Sequence, residues 1–220
     1  MIIKKIIILL ILAVLLTFGA RAYLGFNHFY KYTELMQEAK SIESSFDQLE
    51  AALKKAAGYS GHFLFTMELG RLSLDMALKE NKFGTAERRD FYLDRARDYL
   101  ARSLKKNPIN ALAYFEMGKV YMLYNYPLLT YMEKAKFFFR RALELKPADE
   151  FLSENILYIY LTQWERLSGE EKIYVTDRIQ FAKESNDNFL PRLRKKWREN
   201  FGDEDKLGEI FEKMEGIRIR

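Results

Sequence analysis

Residue types able to do chemistry are sparse in this chain. It holds no cysteine and only two histidines, His28 and His62, among 220 residues. Disulfides, iron–sulfur clusters and thiolate zinc sites are therefore excluded, and imidazole chemistry has two groups to draw on. Ser60 lies in Gly58-Tyr59-Ser60-Gly61, which lacks the spacing of a strained nucleophile elbow. No HExxH, P-loop or GxGxxG occurs. Asp203-Glu204-Asp205 lacks the ligand ladder and glycine of a calcium loop. It reads as acidic charge at the start of the last helix, where the helix dipole favours it. Glu170-Glu171 after Ser168 reads the same way, and Asp94 with Asp98 fits a solvated helix face. His62 reads as a helix-start residue. The expectation is a protein without catalytic residues, metal or cofactor, and not an enzyme.

The elements that would position any site begin with a targeting segment. Residues 1–22 carry Lys4, Lys5 and Arg21 but no acid, and 6–20 is an unbroken apolar run rich in Ile and Leu. A basic start followed by such a run is a targeting signature. Two readings stand. Ala20-Arg21-Ala22 fits a signal-peptide cleavage site, which would release a periplasmic protein starting at Tyr23. Alternatively the segment stays as a single-pass anchor in the inner, cytoplasmic membrane. Fifteen residues make roughly 22 Å of helix, short of a ~30 Å hydrocarbon core. Extension through Leu24, with Arg21 reaching to the interface, closes the gap. Tyr23, Phe26, Phe29, Tyr30 and Tyr32 would then form an interfacial aromatic belt, with His28 among them. Lys4 and Lys5 predict a cytoplasmic N-terminus and a periplasmic body. Lys and Arg total 36 against 31 Asp and Glu. Three of those cations sit in residues 1–22, so the remainder is near balance and gives no reason to expect nucleic acid as a partner.

Beyond the anchor the pattern is helical. Hydrophobic residues make up 49% and aromatics 15%, which excludes a disordered chain. Phe29, Thr33, Met36, Ala39, Ile42, Phe46, Leu49, Leu53 and Ala56 fall in steps of three and four, which predicts one amphipathic stalk helix over 25–57. Further helices are expected at 62–79, 86–105, 111–125, 129–145, 150–167, 170–185, 189–200 and 204–215. Pro108, Pro127, Pro147 and Pro191 all sit at their boundaries.

The helix pairs repeat. A shift of 39 residues aligns Ala96 with Ala135, Leu100 with Phe139, Ser103 with Ala142 and Pro108 with Pro147. A shift of 48 aligns Leu64 with Leu112, Leu69 with Met117, Gly70 with Gly118 and Leu74 with Met122. The clearest copy reads Tyr114, Met117-Gly118, Tyr121, then Ala135, Phe139, Ala142 and Pro147. This unit resembles the tetratricopeptide repeat, TPR, although the spacings here exceed that family's 34-residue period. The extra residues fall near 80–89 and 124–131, in helix–helix turns. Small residues at Gly70 and Gly118, facing Ala96 and Ala135, would let paired helices approach closely. A third copy starts at Ser153, Ile156-Leu157 and Tyr160, with Ala182 as the remnant of its second helix.

The resemblance implies an all-α fold of antiparallel helix-pair repeats stacked as a short α-solenoid. Its domains would be the anchor or signal peptide at 1–24, the stalk at 25–57, three repeats over 62–185 and capping helices over 186–220. The family's groove positions, carried onto this chain, are Leu64, Met67, Arg71 and Leu74, then Leu112, Phe115, Lys119 and Met122, then Phe151, Glu154, Tyr158 and Leu161. Such a surface suits a peptide with apolar anchors and some negative charge. Phe115 and Tyr158 are the expected hot spots. The alternative is that later helices bury these positions. Arg192, Arg194, Lys195, Lys196 and Arg198, with Trp197 among them, read either as a solvated capping-helix face or as a contact for anionic lipid or an acidic partner. The leading expectation is a non-catalytic scaffold binding a protein or peptide in bacterial envelope assembly. An accessory subunit acting through its membrane helix, or a soluble periplasmic carrier of lipid or glycan, are the competing readings.

Overall fold

The first helix passes from exposed to packed along its length without breaking. In a computed structural model, which describes residues 2–124, 132–202 and 204–218, α1 runs from Ile2 to Glu38. From Ile6 to Ala20 every side chain is exposed. From Gly25 onward the same helix is built into the body. The remaining helices are α2 (Ile42–Ser60), α3 (Phe63–Phe83), α4 (Ala86–Lys106), α5 (Ala111–Tyr124), α6 (Met132–Leu145), α7 (Glu150–Thr162), α8 (Gly169–Ser185), α9 (Phe189–Phe201) and α10 (Glu204–Arg218). A 3-10 turn, Trp164–Arg166, follows α7. Among the described residues the fold is all-helical, without strands. Pro127, the expected helix start at Leu129 and Asp203 lie outside the described residues.

The expected stalk over 25–57 is instead a hairpin. Ser41 takes an extended backbone and its hydroxyl accepts from the Ser44 N–H at 3.2 Å, so α2 starts afresh there and folds back along α1. Gly61 ends α2 in the left-handed region at φ 61°, which glycine adopts without a Cβ penalty. His62 then caps α3, its Nδ1 accepting from the Leu64 N–H at 3.3 Å. The expected helix over 150–167 stops at Thr162 and gives way to the 3-10 turn. Ser168 opens α8 with a full capping box to Glu171.

The chain divides into two compact units, Met1–Phe138 and Phe139–Arg220, with the division inside α6. In the first, α3 is the central element and is buried on two faces. Leu69, Leu72 and Met76 pack with Tyr32 of α1 and Phe46, Leu49 and Leu53 of α2. Met67, Leu74 and Ala77 pack with Leu93, Ala96 and Leu100 of α4 and Ala113, Met117 and Val120 of α5. In the second unit, Phe139, Trp164, Phe189 and Trp197 are fully buried. Arg178 donates to the Leu143 carbonyl at 2.7 Å, satisfying the end of α6.

The close approach expected at the repeat glycine is present in the first pair. A Cβ on Gly70 would lie 2.7 Å from Leu100 Cγ and 3.3 Å from the Ala96 carbonyl oxygen. Gly118 and Ala135 are both buried in the next copy, and Tyr121 stacks on Phe138 with centroids 5.3 Å apart. Gly70→Ala should therefore destabilise the protein by about 1–3 kcal/mol through overpacking. Gly58→Ala, whose Cβ would meet open space, should be neutral or stabilising by up to about 1 kcal/mol. Thermal unfolding of the full chain in detergent, followed by circular dichroism, compares them. Equal midpoints would mean that α3 and α4 do not meet at Gly70.

Candidate interaction surface

The faces that the repeat pattern assigns to a groove come from α3 and α5 in the first unit and from α7 in the second. On α3, Leu64 and Arg71 are partly exposed, whereas Met67 and Leu74 are buried in the core with α4 and α5. On α5, Leu112, Lys119 and Met122 are partly exposed, whereas Phe115 is 3% exposed. Phe115 is thus an interior side chain of the folded protein, and the expectation that it stands open as a hot spot does not hold. Its ring lies beneath Lys119, whose Nζ is 5.3 Å from the centroid.

What the two faces share is charge. Arg71 pairs with Glu68 at 3.0 Å and reaches across to Glu116 at 3.5 Å. Lys119 meets Glu116 from the other side at 2.7 Å. Glu116 is 3% exposed and Glu68 9%, so both carboxylates depend on these partners. The Tyr32 hydroxyl donates to Glu68 at 3.4 Å and ties α1 into the cluster. The groove assignment included the cations and missed Glu68, Asp75 and Glu116. A signal for two of them was present: the same 48-residue shift that aligns Gly70 with Gly118 aligns Glu68 with Glu116 and Arg71 with Lys119.

Asp75 lies one turn beyond Arg71 on the same helix. Burial raises its pKa above the ordinary carboxylate value; Lys119 and Arg71 pull it down, while Glu116 and Glu68 push it further up.

In the second unit the α7 face is covered by α9. Glu154 pairs with Arg192 at 3.5 Å and Lys196 at 3.7 Å. Tyr158 packs edge-on against buried Trp197 at 6.1 Å, near Phe201 at 6.3 Å, with Lys196 over its ring at 5.2 Å. Leu161 is buried and Phe151 is exposed. Tyr158 is therefore engaged inside the chain, and the alternative expectation, burial by a later helix, describes this face. The basic stretch is largely answered within the chain as well. Arg192 also meets Glu150 at 2.8 Å, Lys195 faces Glu199 at 3.9 Å, Arg198 pairs with Glu204 and Arg194 lies over Phe211.

The remaining residues singled out by type fall into structural places. His28 stacks on Tyr59 with centroids 5.3 Å apart. His62 contacts Phe26, Phe63 and Phe65. Among the described residues no group of three or more His, Cys, Asp or Glu is arranged to hold a metal. The expected aromatic belt divides. Phe29 packs on Phe65 and Tyr32 is 6% exposed, because these positions face α2 and α3, whereas Phe26 touches Phe65 but stays 47% exposed. Tyr23 and Tyr30 stay exposed at 72% and 63%. No protein-family model matches the chain, and no curated protein matches it.

The Asp75 environment sets a pH dependence. A raised folded-state pKa means that the native state holds this proton more tightly than the unfolded chain. Stability contributed here is therefore lost as pH rises from the ordinary carboxylate value through the raised one. Asp75→Asn removes that loss. Urea unfolding should show the variant more favourable, relative to wild type, at about pH 7 than at about pH 4. An identical difference at both pH values would mean that Asp75 titrates normally.

Proposed function

We propose that the chain is a non-catalytic, membrane-anchored scaffold, with its N-terminus in the cytoplasm and its helical body on the periplasmic side. The observation that carries the reading is α1: one half is bare apolar surface of near-spanning length and the other half is a structural member of the body. An anchor built this way keeps the body close to the membrane surface. The close approach of α3 and α4 at Gly70, with Gly118 buried at the matching position of α5, supports the TPR-like reading and, with it, a short α-solenoid.

The partner surface that this reading favours is the half-open seam of α3 and α5. Leu64, Leu112 and Met122 offer apolar contact there, and Arg71 and Lys119 offer donors on its rim. A protein or peptide of the bacterial envelope, apolar with some acidic residues, fits that chemistry. The partner need not displace Met67, Phe115 or Leu161, which hold the fold.

Two measurements test the proposal. The full-length protein should stay with membranes through an alkaline carbonate wash; a soluble product starting at Tyr23 would instead establish cleavage after Ala22. A photo-crosslinking side chain at Leu64 or Leu112 should capture a protein in intact cells. The same group at Phe91, an exposed residue of α4, should not. Absence of adducts at Leu64 and Leu112, or equal adducts at Phe91, would remove the α3–α5 seam as the binding surface.

A further inference from the structure

One end of the first unit carries charge of a single sign. Segments 18–33, 54–67 and 99–115 contain seven lysines and arginines and no acid. These segments meet at one end. Arg21 Nε donates to the Tyr59 carbonyl at 3.0 Å, and a Cβ on Gly25 would lie 2.9 Å from Ser60 Oγ. Phe18 shares a shallow hollow with Gly58, Tyr59, Ser60 and Gly61. Lys106 Nζ donates to the Gly61 carbonyl at 2.7 Å, and the Ser103 hydroxyl to the Phe63 carbonyl at 2.9 Å. The end of α2, the start of α3 and the end of α4 are thereby levelled with residues 18–25 of α1, where the bare apolar run stops. The opposite end, around the α1–α2 and α3–α4 turns, mixes both signs: Glu34, Glu38, Glu43, Glu80 and Glu87 stand among Lys40, Lys79, Lys82, Arg88 and Arg89, with Lys79 paired to Glu43 and Arg88 to Glu80.

From this we infer that the α4–α5 turn is a second membrane contact, in which Ile109 enters the bilayer interface and Arg102, Lys105, Lys106 and Arg21 engage anionic phospholipid headgroups. The inference rests on reading α1 as a membrane anchor. Ile109 is 70% exposed in the turn directly after Lys105-Lys106, and Arg102, Lys105 and Lys106 are exposed beside it. Apolar and basic side chains at one level are the composition of an interfacial contact. Cations near an anionic surface add their attractions, which fade within a Debye length. Continuity with the apolar run of α1 decides the occupant: a bilayer entered by residues 6–20 presents its phosphates at the height of Arg21, and this end of the unit is at that height. A single helix leaves a body free to tilt and to revolve around it. A second contact away from α1 restrains that motion.

The chain has no cysteine, so one introduced cysteine can carry a single fluorescent label. Full-length Ile109→Cys, Leu12→Cys and Phe83→Cys proteins are reconstituted separately into vesicles containing spin-labelled lipid as quencher. The vesicles are either phosphatidylcholine alone or a mixture of phosphatidylcholine and phosphatidylglycerol. Position 12 should be quenched in both. Position 109 should be quenched strongly only in the anionic vesicles, and position 83, 74% exposed at the opposite end, in neither. Adding Arg102→Glu and Lys105→Glu should cut quenching at position 109 by roughly half or more while leaving position 12 unchanged. Quenching at 12 without quenching at 109 overturns the second contact and leaves the anchor intact. No quenching at 12 overturns the anchor and the inference with it. Quenching at 109 that ignores lipid charge, or equal quenching at 109 and 83, overturns the headgroup contact.

Discussion

A helix in a bilayer keeps its hydrogen bonds because no water competes for them. A helix packed on a protein keeps them because its neighbours bury one face. With α1 as the anchor proposed above, both causes act on one continuous backbone and meet between Arg21 and Gly25. There the missing side chain of Gly25 admits Ser60, and Arg21 answers the Tyr59 carbonyl, one of the last acceptors of α2. With no break in the helix at this point, the direction of the apolar half of α1 fixes the direction of α2. α2 then sets α3, whose two buried faces set α4 and α5. The architecture of the first unit is inherited from that join.

Both units hold a poorly exposed carboxylate with cations of their own. Glu116 on α5 is held by Arg71 of α3 and Lys119 of its own helix. On α7, Glu154 is held by Arg192 and Lys196 of α9. Burying a carboxylate costs desolvation that an ion pair offsets only with good geometry. Removing one partner would leave the other exposed to that cost. Such pairs also fix register, since a one-turn slip of α5 on α3 would separate Glu116 from Arg71.

The helices and their ends were legible because caps and prolines are local. Pro108 and Pro147, Ser168 with Glu171, and the glycine at position 70 all act within a few residues or within one helix pair. The α1–α2 hairpin was not legible from periodicity. Thr33, Met36, Ala39, Ile42 and Phe46 continue in steps of three and four because both arms face the same core, so the rhythm survives the turn. Only Ser41 with Ser44 marks the break, and a serine pair is common inside amphipathic helices. The buried glutamates escaped for the converse reason. Polar residues were read as solvated, although Glu68 and Glu116 repeat with the same shift as Gly70 and Gly118. The aromatic belt divides because a ring suits an interface and a helix contact equally well: Phe29 and Tyr32 pack on the body, while Tyr23, Phe26 and Tyr30 stay exposed.

The join between Arg21 and Gly25 also imposes an order of events. A protease that reads Ala20-Arg21-Ala22 must take that segment as an extended strand, which here means unwinding the middle of α1 and withdrawing Gly25 from Ser60. Once α2 has folded back, that opening has to break the helix and its docking together. Cleavage after Ala22, were it to happen, would belong to the interval in which the chain has emerged as far as Ala22 but not as far as Ser60. For a chain that meets such a peptidase, the fate of the first two dozen residues would be a race between cleavage and the closing of a hairpin.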